Sequence, residues 1–240
     1  MTEPTARNEA LLTYARMAGF LYLIIIVLGI SSEVFIRRNL VEPGDLATTA
    51  DNILNSTGLF RAGFIADSIM LLSDVAIAVL FYILLKPVNN YLALTAMVFR
   101  LTQATILGSN LLNYYTALLI LGGVGYAGAF EQNQLQALAS LFLEIHSYGY
   151  DLGLLFFAIS NLFLGYLIIR ANYFPSLFGY ALLAAAVVYL LGSYTRFLSP
   201  DWFAVIQPAY IIPLIAELSF CLWLMIKGIQ QQELSYSSEE

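Results

Sequence analysis

Residues Leu59–Leu85 read LFRAGFIADSIMLLSDVAIAVLFYILL, an apolar run interrupted by charged side chains only at Arg61, Asp67 and Asp74. An α-helix rises about 1.5 Å per residue, so about 20 mostly apolar residues cross the hydrocarbon core of a bilayer. The run is long enough to do so and predicts a transmembrane helix. Its charges would then lie where water is scarce, which makes them candidates for function.

Five other runs have the same length and character: Tyr14–Ile36, Tyr91–Leu121, Ser147–Ile169, Phe174–Leu198 and Val205–Ile226. The chain is 60% hydrophobic and 11% charged, whereas a soluble domain has about 25% charged residues. We therefore predict an all-α integral membrane bundle of about six transmembrane helices. It forms a single transmembrane domain over residues 14–228, with tails at 1–13 and 229–240.

The first apolar run has a second interpretation, as a cleaved signal peptide with Ala18–Ile30 as its core. Against this, the apolar core continues toward Phe35 and no A-x-A-like cleavage site follows. We therefore expect the run to be retained as the first transmembrane helix.

Two longer connections carry helical spacing of their own. After Pro43-Gly44-Asp45, apolar residues recur in a pattern that predicts a short outer-loop helix at about 45–55. Before the fourth span, apolar residues again recur at helical spacing: Leu135, Leu138, Phe142 and Ile145. This amphipathic segment lies on the membrane or extends the fourth helix.

Basic residues at the ends of the spans predict the orientation. One side of the membrane collects four that immediately flank a span: Arg16, Lys86, Arg170 and Lys227. Basic residues are enriched in cytoplasmic loops close to the spans. We expect a multi-pass protein of the plasma membrane with both tails, including the acidic C-terminal one, in the cytoplasm.

The composition argues against several functions. The formal net charge of −6 opposes a nucleic-acid surface, which needs clustered Lys and Arg. Cys221 is the single cysteine and His146 the single histidine, so an internal disulfide, a cysteine-rich zinc site and HExxH chemistry are excluded. We predict neither a metal nor a cofactor. An enzyme is the weakest interpretation, and the expected partner is the lipid bilayer.

Two glycine motifs and the histidine favour packing over chemistry. Gly123–Gly128 matches G-x-G-x-x-G, but it follows a membrane helix rather than a strand, so we expect an outer loop. Gly149 and Gly153 form G-x-x-x-G, which favours close helix packing. His146 lies about 140° around a regular helix from Asp151, which predicts a packed or interfacial histidine.

The informative residues are ionisable ones inside the spans: Glu33, Arg61, Asp67, Asp74, Arg100, Asp151, Arg196 and Glu217. Each costs roughly 2.5–3.5 kcal/mol at mid-helix on insertion scales, so such groups normally face the bundle interior. At about 1.5 Å per residue from the cytoplasmic ends, Asp74, Arg100 and Glu217 share a level near the middle. Asp67, Asp151 and Glu33 fall in a second layer near the outer mouth.

Matching depth predicts an Asp74–Arg100 ion pair between the second and third helices. Two carboxylates and one guanidinium in the middle layer leave one carboxylate without a strong partner. That surplus suits a cation better than an anion. Pro213, four residues before Glu217, would loosen the sixth helix and free a backbone carbonyl beside the carboxylate.

The candidate binding site combines the polar residues of three helices: Asp67, Asp74, Arg100, Gln103, Asn110 and Glu217. These groups suit a small cationic or zwitterionic solute, an ion or a proton relay. The alternative is an interaction or regulatory protein whose buried charges are purely structural. A water-accessible cavity that reaches Asp74 and Glu217 would favour the solute site, and a sealed polar layer would favour the structural role.

Four stretches resemble a bacterial membrane-protein family, domain of unknown function 4386: Leu59–Val88, Phe99–Leu101, Gly165–Gly179 and Glu217–Gly228. The resemblance covers roughly residues 14–228 and implies a polytopic membrane fold. The resemblance assigns a catalytic or binding role to no residue of this chain.

Overall fold

The computed structural model describes residues 3–123, 125 and 127–230. Helices are the only regular secondary structure in the described part, which contains no strand. Its α-helices are α1 Glu3–Ser31, α2 Arg38–Leu40, α3 Leu46–Asn55, α4 Thr57–Leu85, α5 Asn90–Leu121, α6 Gln132–Arg170, α7 Ser176–Leu198, α8 Pro200–Ile206 and α9 Ile211–Ile226. A π-helix, Ser32–Arg37, joins α1 to α2, and 3₁₀ turns occupy Ala127–Ala129 and Gln207–Tyr210.

Within the described residues, six helical segments are long and apolar enough to cross a membrane: Asn8–Leu40, Thr57–Leu85, Asn90–Leu121, Gln132–Arg170, Ser176–Leu198 and Pro200–Ile226. The predicted fold class is therefore confirmed. The short outer-loop helix is α3, and the amphipathic segment before the fourth span is the N-terminal part of α6. The expectations for the C-terminal tail from residue 231, and for Val124 and Tyr126 of the glycine loop, lie outside the described residues.

Helix ends follow local side-chain chemistry. Asp45 caps α3 because its Oδ1 accepts the backbone N–H of Thr48 at 2.9 Å. Asn89 does the same for α5, where its Oδ1 accepts the N–H of Leu92 at 3.0 Å. Pro200 opens α8 at a position where its missing N–H costs nothing.

The sixth span differs from the expected single helix. It consists of α8, a 3₁₀ turn that contains Pro208, and α9. Pro213 is the third residue of α9, where a backbone N–H would have no partner within the helix. Proline at this position therefore does not interrupt α9, and the expected loosening of the helix beside Glu217 stays a prediction.

The helices divide into two compact units. The first unit comprises the described residues of Met1–Ile24, Ser73–Ala104 and Gly153–Glu240, and the second comprises Ile25–Leu72 and Thr105–Leu152. In the first unit, α6 and α7 approach closely at Gly165 and Gly179, because a Cβ on Gly165 would lie 2.8 Å from the Gly179 carbonyl oxygen.

The second unit has its own apolar core. It is built from buried side chains of several helices: Ile36, Leu40, Ile53, Phe60, Met70, Leu71, Leu107, Leu111, Tyr114, Ala117, Leu118 and Ala139. The rings of Phe60 and Tyr114 stack with centroids 3.9 Å apart. The Tyr114 hydroxyl donates to the Phe60 carbonyl at 3.0 Å, which satisfies the polar end of an otherwise buried side chain.

Candidate functional site

Arg100 of α5 is the centre of a buried polar cluster in the first unit. Its Nε donates to Asp74 Oδ1 at 2.8 Å, and its Nη2 lies 2.6 Å from the same oxygen. Gln103, almost one turn further along α5, donates from Nε2 to Asp74 Oδ2 at 3.0 Å. The structure thus contains the ion pair that matching helix depths predict, and both charged side chains are almost fully buried.

Three aromatic rings surround the Arg100 guanidinium. Its carbon lies 4.9 Å from the ring centre of Phe157, 5.5 Å from that of Tyr22 and 5.9 Å from that of Phe81. A cation within about 6 Å of an aromatic centre is attracted by the ring quadrupole. The rings therefore help to hold a full positive charge away from water.

Glu217 of α9 is the second carboxylate of this cluster and is 7% exposed. The Asn161 side-chain amide faces it, with Nδ2 3.5 Å from Oε1. The hydroxyl groups of Tyr22 and Tyr189 also lie close to the Glu217 carboxylate. Sequence reasoning missed these three residues, because helical phase within one helix does not indicate which neighbouring face it meets.

Several polar atoms of the cluster have no hydrogen-bond partner among the described residues. They are Arg100 Nη1, Gln103 Oε1 and Asn161 Oδ1. Buried polar atoms in native proteins are almost always paired with protein or with ordered water. One donor nitrogen and two acceptor oxygens near the carboxylates of Asp74 and Glu217 therefore lack a hydrogen-bond partner among the described residues.

A narrow cavity beside this cluster reaches Arg100. Its walls come from α4, α5 and α6: Ala78, Phe81, Tyr82, Leu85, Ala93, Ala96, Met97, Arg100, Ser160 and Leu164. It has room for about one water molecule. Neither Asp74 nor Glu217 lines this cavity.

A separate charged group lies in the second unit. Arg37 Nη1 donates to Asp67 Oδ2 at 2.7 Å, and Arg37 Nε donates to Glu33 Oε2 at 2.8 Å. Arg37 was absent from the sequence candidates because the first span was expected to end at Ile36. Helical structure continues instead through the π-helix and α2 to Leu40.

His146 is a packed side chain of the second unit, 6% exposed. Its Nδ1 lies 3.2 Å from the Asn110 carbonyl oxygen, and Asn110 Nδ2 donates to the His146 carbonyl at 2.7 Å. Gly149, one turn away from His146, packs so closely against the Asn110 side chain that a Cβ there would overlap it. Glycine at 149 therefore permits a hydrogen-bonded contact between α5 and α6.

The six candidate residues are distributed between the two units. Asp74, Arg100, Gln103 and Glu217 belong to the first unit, where the first three make direct contacts. The other two, Asp67 and Asn110, belong to the second and have different partners there. The remaining sequence candidates are not all interior: the Glu33 side chain is 51% exposed and Arg61 is also exposed.

Six long apolar helices indicate a multi-pass membrane protein. The family model for domain of unknown function 4386 matches residues 17–228. The chain therefore belongs to this family, as the resemblance of its four stretches predicts.

Comparison with known proteins adds one archaeal relative. An uncharacterised protein of Archaeoglobus fulgidus is 28% identical over 166 residues, which cover 69% of this chain and 83% of that protein. This similarity to an archaeal protein does not confirm the expected bacterial origin of the family. No solved structure matches the chain at a significant level.

Proposed function

We propose that this protein binds or passes a small cationic or zwitterionic solute or ion at the Glu217 cluster, defined as Asp74, Arg100, Gln103, Asn161 and Glu217. The observation that carries the proposal is the ratio of charges. Asp74 already forms a close pair with Arg100, and Glu217 adds a second buried carboxylate without a second buried base in the cluster.

The chemistry of the cluster favours a ligand with positive charge. An isolated carboxylate is costly in a low-dielectric interior, so it binds a proton or a cation. A zwitterion would place its ammonium group at Glu217 and its carboxylate at the open Arg100 Nη1. The neighbouring cavity, which Arg100 lines, has room for about one water molecule, and this small volume favours an ion or proton over a larger solute.

The expected membrane and orientation belong to the same proposal. We place the protein in the plasma membrane with both termini in the cytoplasm, since basic residues flank the spans on that side. The ligand would then exchange between the cluster and one of the two aqueous phases.

The second candidate is a non-catalytic interaction or regulatory protein in which the buried charges only hold helices in register. It is favoured by the sealed geometry, because Asp74 and Glu217 are 3% and 7% exposed and neither lines the cavity. Buried ion pairs can specify a unique packing without contributing net stability.

Thermal unfolding of the purified protein in detergent distinguishes the two candidates. A set of monovalent salts, amino acids and organic amines should contain ligands that raise the unfolding temperature, because a ligand that binds only the folded state stabilises it. Glu217→Gln removes the charge with little change of shape and should abolish this response. Glu144→Gln, the same substitution at an exposed position of α6, should preserve it. A folded Glu217→Gln protein with the wild-type response would contradict the proposal.

A further inference from the structure

The second unit contains an unusual turn of helix at its charged group. Ser32–Arg37 is π-helical and contains both Glu33 and Arg37. π-Helical turns are rare and frequently occur at functional sites. Here the turn brings Arg37 Nε to Glu33 Oε2, 2.8 Å away, while Arg37 Nη1 extends to Asp67 on α4.

The three charged side chains form a gradient of exposure. The side chain of Glu33 is 51% exposed, that of Arg37 15% and that of Asp67 5%. A charged path therefore leads from an accessible carboxylate, past a guanidinium, to a buried carboxylate. Polar or charged groups that reach such depth in a membrane protein commonly mark ion or solute pathways.

Asp67 uses only one of its two oxygens within this group. Oδ2 accepts from Arg37 at 2.7 Å, whereas Oδ1 is buried and has no hydrogen-bond partner among the described residues. The hydroxyl oxygen of Ser32, the first residue of the π-helix, is likewise buried without a described partner. An ionised carboxylate oxygen can only accept hydrogen bonds or bind a cation, so Oδ1 requires a donor or a positive ion.

The charges of Glu33, Arg37 and Asp67 do not cancel one another. Glu33 and Asp67 both bind the single guanidinium of Arg37. Arg38 lies 3.8 Å from Glu33, but both side chains are more than half exposed, and exposed pairs of this kind are screened by water. Without Arg38, the three residues Glu33, Arg37 and Asp67 carry one net negative charge, which one monovalent cation would balance.

We infer that Asp67 Oδ1 is a ligand in a monovalent-cation site of the second unit. The cation would reach this site past the side chains of Glu33 and Arg37. The cation is a single positive charge that can approach one carboxylate oxygen, either an alkali ion such as Na⁺ or a primary ammonium group. This site uses none of the residues of the Glu217 cluster, so the two proposals can fail separately.

The test is hydrogen–deuterium exchange of the purified wild-type protein with NaCl or methylammonium chloride. Tetraethylammonium chloride at the same ionic strength is the control, because it carries charge but no N–H donor and is bulky. Exchange in peptides that cover Ser32–Leu40 should slow in a saturable manner, about tenfold at ten times the dissociation constant. Peptides around Glu217 report the other cluster within the same experiment.

Asp67→Asn should remove the cation-dependent slowing in Ser32–Leu40. Slowing with Na⁺ alone identifies an alkali-ion site, slowing with methylammonium alone identifies an ammonium site, and either supports the inference. No slowing with either probe, equal slowing with tetraethylammonium, or undiminished slowing in Asp67→Asn would overturn it. If Asp67→Asn does not fold, Asp67→Glu keeps the charge but moves it by one methylene, and an unchanged half-saturation concentration in that variant would also overturn the site.

Discussion

At the scale of single residues, Arg100 combines a charge, a close ion pair with Asp74 and almost complete burial. Removing it would leave the Asp74 carboxylate buried without its base, a change that typically costs about 3–5 kcal/mol. Arg100→Ala should therefore reduce the unfolding temperature and the yield of folded protein more than Asp74→Asn and Arg100→Gln combined in one chain. Thermal unfolding in detergent of wild type, single variants and double variant measures the difference.

The coupling between these positions is the decisive quantity in that cycle. Residues in direct contact show interaction energies of about 0.5–3 kcal/mol, whereas independent residues are additive within about 0.5 kcal/mol. Additive losses at Asp74 and Arg100 would show that the contact contributes nothing to stability.

The sequence indicates the Asp74–Arg100 contact but not the Arg37–Asp67 contact. The first joins helices connected by a short turn, so counting residues from Lys86 and Asn89 places both side chains at one level. The second depends on a π-helix that continues the first span beyond Ile36. Depth and phase calculated for a regular α-helix do not include such an inserted turn.

At the scale of elements, the stability of α3 depends on its N-cap residue, Asp45. The pKa of Asp45 is lowered from its ordinary value because the carboxylate accepts the backbone N–H and then the hydroxyl of Thr48. Asp45→Ala should make the amides of Leu46–Asn55 exchange faster than in the wild type. Asp51→Ala, an exposed position in the middle of α3, should not. Equal effects of the two substitutions would exclude a capping role.

The same cap makes α3 sensitive to acid. A carboxylate whose pKa is lowered on folding stabilises the folded state above the pKa of the unfolded chain, and this contribution disappears as the pH falls through the lowered value. Protection of α3 should therefore decrease on strong acidification in the wild type. The acid-dependent part should be absent in Asp45→Ala.

The contact between α6 and α7 depends on a glycine pair. A Cβ on Gly179 would overlap the carbonyl oxygen of Gly165 and lie 3.0 Å from the Ile169 nitrogen. Because these are backbone atoms, the helices must separate, and overpacking of this kind typically costs about 1–3 kcal/mol. Gly179→Ala should lower the unfolding temperature, whereas Gly58→Ala, where the space is open, should not. A stable Gly179→Ala protein would contradict the close approach.

Most elements could be predicted from the sequence because long apolar runs and turn-forming residues determine them. The expected span Leu59–Leu85 corresponds to α4, which begins two residues earlier at Thr57. The sixth span was predicted incompletely. Pro208 and a 3₁₀ turn separate α8 from α9, and apolar composition does not reveal a change of helix type within a hydrophobic run.

At the scale of the whole molecule, orientation in the membrane is the first testable property. Reporter fusions after Lys86, Arg170 and Lys227 should be cytoplasmic, because basic residues flank these span ends. Fusions near Asp45 and Asp201 should report the opposite side. A C-terminal reporter on the outer side would contradict the expected orientation.

The candidate site could be predicted only in part from the sequence. Depth identifies Asp74, Arg100 and Glu217 as one layer, and the structure places them in one unit with an aromatic surround. Apolar periodicity did not identify Tyr22 and Asn161, because their role follows from which helix faces meet. Such contacts arise from packing of the whole chain rather than from local pattern.

The proposed binding of a positively charged group at Glu217 can be measured by calorimetric titration. Purified wild type, Glu217→Gln and Glu144→Gln are titrated with the ion or amine that most strongly raises the wild-type unfolding temperature. Wild type and Glu144→Gln should bind with the same affinity, and folded Glu217→Gln should lose binding at least about a hundredfold, equivalent to about 2.8 kcal/mol. Equal affinity in all three proteins would contradict the proposed role of Glu217 in binding.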